Sequence, residues 1–335
     1  MKKMMLLCGV LILFSWNVIS AQSSKPAEYT SVAEVMRDEV LHRDFQIQGE
    51  YLDKENGTGF GANLVAEGSG QFRVVVFPGG LPGEGWKRGD ERILGKAVLN
   101  DAGDLIVTLE AVPVPLTVKT GKGKLSTTFE DDVYSFTKIE RQSPTLGQSV
   151  PKGAIALFVD GKASDLFERV VVNEEAQTLW SEAWTKPFEQ RSYLLHIEFM
   201  LSYMPTAKGQ SRANSGVYID ERYECQILDS FGLDGKNNEC GGFYQQAEPK
   251  VNVCFPPLQW QTYDIDYTPA VFDTDGKKAA DAILTVKHNG VVIHDAVKLA
   301  KETPGRKKEG SETNGLYLQG HGNKVQFRNI WLKYQ

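Results

Sequence analysis

The chain reads as an all-β protein, a small antiparallel β-domain followed by a β-sandwich or barrel, and three observations predict this. Glycine and proline are frequent, 32 and 14 in 335 residues, so the chain turns often. The apolar residues come in short runs of strand length separated by turn signals. Beyond about residue 153 no helical pattern of a dozen residues interrupts them. At 41% hydrophobic and 24% charged the chain is globular rather than disordered.

Residues 1–21 stand apart. Lys2 and Lys3 precede an apolar run from about Met4 to Phe14, and small residues follow before Gln22. That is the pattern of a secretory signal peptide, too short and wrongly flanked for a membrane anchor. Cys8 lies in the apolar run without a small residue before it, which argues against a lipoprotein anchor. The protein is therefore expected to be exported, to the periplasm or the cell surface. Of 37 basic residues, removal of Lys2 and Lys3 leaves 35 against 43 acidic ones, a formal charge of −8. No basic run stands out, which excludes nucleic acid and an anionic membrane as expected partners.

The mature chain then divides in order. Residues 30–42, "TSVAEVMRDEVLH", have the spacing of a short helix. From Phe45 to about Ile139 come "QFRVVVF", "RILGKAVL", "DLIVTLEAV" and "DVYSFTKI", broken by "FPGGLPGEG", "NDAGD" and "TGKGK". These predict a small β-rich domain over 25–140, whose role the sequence does not disclose. The Pro/Gly/Ser-rich "RQSPTLGQSVPKG" over 141–153 is the expected linker. From 154 to 335 about nine short strands follow, among them "KHNGVVIHD", where Asn289-Gly290 marks a hairpin. His288 and His294 in that hairpin are expected at the surface.

Three cysteines remain after the leader. Cys225 alternates with Ile227 and is expected in the core. Cys240 and Cys254 flank loop-like sequence and are the candidate disulfide pair, since an exported compartment permits one. No Cys-x-x-Cys or Cys/His spacing suggests zinc. "DTDGKKAAD" over 273–281 lacks the later ligands of a calcium loop and reads as a β-turn.

Alternation along the strands of the second half separates an apolar face from an unusual polar one. In "YLLHIEFML" His196, Glu198 and Met200 oppose Leu195, Ile197 and Phe199. In "RYECQIL" Glu224 and Gln226 oppose Cys225 and Ile227. In "GLYLQGHG" Tyr317, Gln319 and His321 oppose Leu316 and Leu318; in "VQFRNIWL" Gln326 and Arg328 oppose Val325, Phe327, Asn329 and Trp331. If these strands neighbour one another in one curved sheet, the polar residues form a floor of planar donors and acceptors with rings. That composition suits a carbohydrate.

The motifs "LLHIEFMLSY", "NSGVYIDERYECQILDS", "PPLQWQTYDIDYT", "TVKHNGVVIHD" and "LYLQGHGNKVQFRNIWLK" resemble, in order and spacing, the 3-keto-disaccharide hydrolase family over about Gly153 to Gln335. The resemblance implies a concanavalin A-like jelly roll with the ligand on the concave face. It also implies action on sugars oxidised to a ketone at C3. Laminarinase-type glucanases share that fold, but their Glu-x-Asp-x-x-Glu pattern is absent; "RYECQILDS" offers Glu224, Gln226 and Asp229, so a two-carboxylate retaining mechanism has no obvious home. The implied route instead removes the acidified C2 proton, expels the C1 substituent and adds water. It needs a base, an enolate stabiliser and an acid, and no cofactor; a structural calcium, common in jelly rolls, stays open.

On this reading the catalytic candidates are His321, Glu198 and Glu224, with His321 and Glu198 as bases. Asn214, Tyr218, Gln226, Gln319 and Arg328 are the expected substrate-binding residues. Arg328 can alternatively pair with Glu198 or Glu224, and Asp229 can cap the turn before Phe231. The competing reading is a non-catalytic carbohydrate-binding module, which the same fold serves equally well.

Overall fold

The computed structural model describes residues 25–53, 59–112 and 114–335. The expected leader, 1–21, lies outside the described residues. Among those described, no helix is long and apolar enough to cross a membrane.

Residues 25–139 form a closed barrel preceded by two short helices. α1 (Val32–Val35) and α2 (Glu39–Ile47) replace the single helix expected over 30–42. The break has a local cause: Asp38 is extended and its carboxylate accepts from Leu41 N at 2.8 Å, capping a second helix. β1 (Gly49–Asp53), β2 (Gly61–Gly68), β3 (Gln71–Phe77), β4 (Ile93–Leu99), β5 (Leu105–Leu109), β6 (Leu116–Gly121), β7 (Lys124–Phe129) and β8 (Asp132–Ile139) each pair antiparallel with the next, and β8 returns to β1. Closure removes the exposed edges that a small open sheet would carry.

The rest is a two-sheet sandwich. Its strands are β9 (Ile155–Val159), β10 (Phe167–Arg169), β11 (Thr178–Trp180), β12 (Ala183–Thr185), β13 (Tyr193–Met200), β14 (Ser215–Ile219), β15 (Tyr223–Ile227), β16 (Trp260–Thr268), β17 (Ala282–His288), β18 (Val291–Leu299), β19 (Tyr317–Leu318) and β20 (Gln326–Tyr334). The larger sheet runs β9-β20-β13-β16-β17-β18, with β11 also pairing on β20; the smaller runs β10-β12-β19-β14-β15. Leu195, Ile197 and Phe199 of β13 face Val217, Cys225 and Ile227 of the smaller sheet in one fully buried core. The protein is all-β, with a jelly-roll sandwich behind a β-barrel. The β17–β18 turn has Asn289 at φ 50° and Gly290 at φ 81°, the left-handed pair that an Asn-Gly hairpin requires.

Three expectations change. The 141–153 segment is no free connection: Thr145 Oγ1 donates to Asp264 Oδ2 at 2.7 Å and Gly147 N to Glu198 Oε1 at 2.6 Å, fastening it along the outer face of the larger sheet. His288 and His294 are buried, not superficial. Burial holds His288 neutral near 3 and His294 near 4, and their rings bond Gln261 and the Gly241 carbonyl. Cys240 and Cys254 are both free buried thiols and form no disulfide; Cys240 Sγ lies 3.2 Å from the Tyr263 hydroxyl instead. At 273–281 the Asp273 carboxylate accepts from Asp275 N and Lys277 N, so the loop closes as a turn on its own backbone.

Candidate functional site

Strand register divides the polar residues between two sites. β13 and β20 belong to the larger sheet, whereas β14, β15 and β19 belong to the smaller. Because the two sheets pack core to core, their polar faces look away from each other. Glu198 and Arg328 are therefore on one side of the sandwich, and Tyr218, Glu224, Gln226 and Gln319 on the other. A single floor containing all of them does not exist.

On the larger sheet's outer face an ion cluster forms, with Glu198 and His196 buried and Arg328 partly exposed. Burial works to raise the Glu198 carboxyl, but hydrogen bonds from His196, Asn329, Arg328 and Gly147 N outweigh it and hold the carboxyl near 2. Arg328 Nε lies 2.7 Å and Asn329 Nδ2 2.9 Å from its oxygens. His196 stacks on Trp331 and its Nδ1 is 2.6 Å from Asp264. Burial opposes protonation of His196, yet Asp264 and Glu198 together raise its pKa. Arg328 also lies 4.0 Å above the Trp260 ring. A carboxylate this fully bonded is a poor base, so Glu198 and Arg328 form a structural pair here rather than a base and a sugar ligand. The sequence missed one feature of this face. A bulge with Asn329 at φ 44° resets the alternation of β20, so Trp331 turns outward onto His196 while Ile330 and Leu332 enter the core.

The smaller sheet carries a different arrangement. Trp184 on β12 is the register partner of Tyr317 on β19, Tyr317 of Tyr218 on β14, and Tyr218 of Glu224 on β15. Four strands thus set a row of three aromatic rings ending on a carboxyl, all on the face away from the core. The Trp184 and Tyr317 centroids are 6.4 Å apart, and those of Tyr317 and Tyr218 5.5 Å. Arg306, held by Glu221 at 2.8 Å, lays its guanidinium 4.1 Å over the Tyr317 ring.

Glu224 is 4% exposed, and burial pushes its carboxyl up to about 7 against the opposing pull of the Tyr218 hydroxyl. That hydroxyl donates to Oε2 at 3.1 Å; among the described residues no cation pairs with the carboxyl. Gly216 makes the space, since a Cβ there would stand 2.4 Å from Glu224 Oε1. Gln319 Nε2 lies 3.4 Å from the Tyr218 hydroxyl, while its Oε1 is buried and has no partner. A buried acceptor without a partner beside an acid whose pKa burial has raised is an unsatisfied polar pair. Gln226 and Asn214 are spent on each other and on the backbone: Gln226 Nε2 donates to Asn214 Oδ1 and to Ser215 O, and Asn214 Nδ2 to Gln210 O. They shape the floor rather than reach out from it.

His321 is exposed, on the turn beyond β19, and its ring makes no hydrogen bond among the described residues. Asp229 caps the turn, accepting from Phe231 N, and pairs with Arg212. Trp184, Tyr317 and Arg306 were not singled out from sequence. Tyr317 was visible on the polar face, and Trp184 alternates with buried Ala183 and Thr185. Arg306 sits in a loop and has no pattern to betray it. No cluster of three potential metal ligands forms among the described residues.

A row of rings ending on a protonatable carboxyl, set on one face of a β-sandwich, is the make-up of a sugar-handling site. The chain belongs to the family of the 3-keto-alpha-glucoside-1,2-lyase-like domain, whose profile matches residues 128–333. The match begins in β7 of the barrel, ahead of Gly153 where the resemblance in the sequence starts. Two solved structures from Parabacteroides distasonis ATCC 8503, each described as a "putative glycosyl hydrolase", are similar. One is 28% identical over 55% of this chain and 85% of its own, at a TM-score of 0.49. The other is 16% identical over 55% and 88%, at 0.36. No curated protein matches. Membership of this family makes the protein a carbohydrate-acting, hydrolase-like one.

Proposed function

We propose that the protein cleaves the glycosidic bond of 3-keto-glycosides, with Glu224 as the base. The observation that carries this is the solitary state of Glu224: a carboxyl pushed up to about 7 by burial, at the end of an aromatic row, with no second carboxylate or cation paired with it among the described residues. Ordinary glycoside hydrolysis uses two carboxyls about 5–9.5 Å apart; elimination from a 3-keto sugar can use one, which takes the C2 proton as base and returns it to the leaving oxygen as acid.

The sugar lies along Tyr218 and Tyr317. Ionised Glu224 takes the C2 proton, and the electron pair moves into the C2–C3 bond to give an enolate on O3. The enolate collapses, restoring the C3 carbonyl and forming a C1–C2 double bond, and the C1 oxygen leaves with the proton that Glu224 had taken. Water then adds at C1 and gives up a proton to Glu224, which returns it to C2, yielding the free 3-keto sugar and the aglycone alcohol. Arg306 supplies positive charge beside the enolate, and the Gln319 Oε1 accepts from a sugar hydroxyl. The leader-like segment 1–21 supports an exported enzyme working on sugars outside the cytoplasm.

The test is release of a chromogenic aglycone from a 3-keto-glucoside, with the unoxidised glucoside alongside. Release from the keto sugar alone, lost in Glu224→Gln while sugar binding persists, is the expected result. Binding of both sugars without release from either would make the protein a carbohydrate-binding module.

A further inference from the structure

The barrel, on which the proposed reaction makes no demand, is hollow. A cavity of about 230 Å³ occupies its interior, and among the described residues its lining holds no charged side chain; the polar groups in it are the hydroxyl side chains of Ser126, Thr127 and Tyr134. Leu109, Leu116, Val118 and Phe136 point into this space and are only half-buried, although they belong to the barrel's apolar cluster. Protein interiors otherwise pack to the density of organic crystals, and an apolar void of ~150 Å³ stays dry and takes up benzene. This void is larger than that.

The two ends of the barrel differ. At one, α2 closes the bottom: Asp44 Oδ2 accepts from Gly70 N at 2.7 Å in the β2–β3 turn, Gln48 Oε1 from Ala66 N at 3.0 Å, and Leu41 and Phe45 pack on the buried cluster. At the other, Phe60 and Tyr134 meet edge to face, 6.5 Å between centroids, and Val114 ahead of β6 and Val133 near the start of β8 are 54% and 60% exposed. The result is an apolar cup with a closed floor and an open end, where exposed valines stand beside the acidic β7–β8 turn at Glu130 and Asp131.

We infer that the barrel binds an uncharged apolar small molecule, a ring or short alkyl chain bearing at most a hydroxyl as its polar group. The hydrocarbon body fills the cavity and any hydroxyl meets those of Ser126, Thr127 and Tyr134. A charged head is excluded, because nothing in the lining would compensate its desolvation.

The full-length mature protein would be titrated with the uncharged fluorophore N-phenyl-1-naphthylamine, followed by competition with 1-decanol and with decanoate. Saturable binding is expected, displaced by decanol at far lower concentration than by decanoate. Val118→Trp, which puts an indole into the cavity, should weaken the fluorophore at least about tenfold and leave the melting temperature equal or higher. Leu116→Trp, nearer the mouth, decides the matter if the first variant does not fold. Absence of saturation, unchanged affinity in the folded variants, or equal displacement by decanoate would each overturn the inference. Turnover of the 3-keto-glucoside is a separate readout, so failure here leaves the sandwich reading intact.

Discussion

Glu198 and Glu224 are both buried carboxyls on β-strands of one sandwich, and their surroundings drive them in opposite directions. Glu198 is bonded on every side and sits near 2; Glu224 has one hydroxyl and sits near 7. The consequence for Glu224→Gln is twofold. Turnover of the keto sugar should fall by roughly 10²-fold or more, and in the wild type kcat/KM should rise through about pH 7 as Glu224 ionises. Between 4.5 and about 7 the unfolded chain has lost this proton while the folded one keeps it, so stability falls as the pH rises through that window. Glu224→Gln should therefore be more stable than wild type at pH 8, by as much as about 3 kcal/mol, and equally stable at pH 4. Urea unfolding at the two pH values measures it; a variant no more stable at pH 8 would mean Glu224 is not strained there. Glu198→Gln should do the reverse. It removes the acceptor shared by Arg328, Asn329 and Gly147 N and leaves His196 with Asp264 alone. The expected loss is about 3 kcal/mol, at the low end for a buried pair because the Arg328 side chain is 38% exposed. That loss is present above pH 4.5 and fades as the pH falls toward 2, and kcat at 25 °C should hold.

At the scale of the element, alternation carried most of what was legible. The inward faces of β13 and β15 and the hairpin at Asn289-Gly290 follow from period-two pattern and turn chemistry alone, and Glu224 and Tyr218 could be placed on a polar face. What alternation lacks is any statement of which sheet a strand joins. Glu198 and Glu224 looked equivalent because each opposes an apolar face; only the pairing of β13 with β20 and of β14 with β15 sends them to opposite sides. The bulge at Asn329 was equally hidden, since one residue in left-handed geometry shifts the phase of β20 without altering its composition. The same scale yields a test of the row ending on Glu224. Gly216 lies beneath that carboxyl, and its φ is not in the left-handed region, so alanine adds a methyl without backbone strain. A Cβ 2.4 Å from Oε1 and 3.0 Å from Cγ must displace the side chain. Gly216→Ala should lower kcat for the keto sugar roughly tenfold or more, with secondary structure by circular dichroism unchanged. Full activity would place the working carboxyl elsewhere.

Over the whole molecule the barrel and the sandwich share their interior. Val75, Phe77, Leu81 and Trp86 come from the barrel's half of the chain and lie in the same apolar cluster as Leu195, Phe199 and Phe243 of the sandwich. Polar contacts fix the same seam. Arg141, where the barrel ends, donates to both Glu50 and the Pro82 carbonyl and covers the Phe255 ring at 5.4 Å. From the other side Arg212 donates to the Ala66 carbonyl, while Arg73 donates to the Gly232 carbonyl at 2.7 Å. An interface that is apolar at its centre and ringed by buried and part-buried arginines does not come apart before either half melts. Thermal unfolding should therefore be a single transition, with calorimetric and van't Hoff enthalpies equal. Cutting the chain at residue 141 should leave a sandwich that exposes the side chains which had packed on Trp86 and Phe77, and that aggregates or binds an apolar dye. Two resolved transitions, or a monomeric 141–335 fragment with wild-type turnover, would make the barrel an independent passenger. A single transition would instead make the hollow barrel a part of the enzyme's own stability, so that a molecule filling the barrel should also raise the melting temperature of the sandwich.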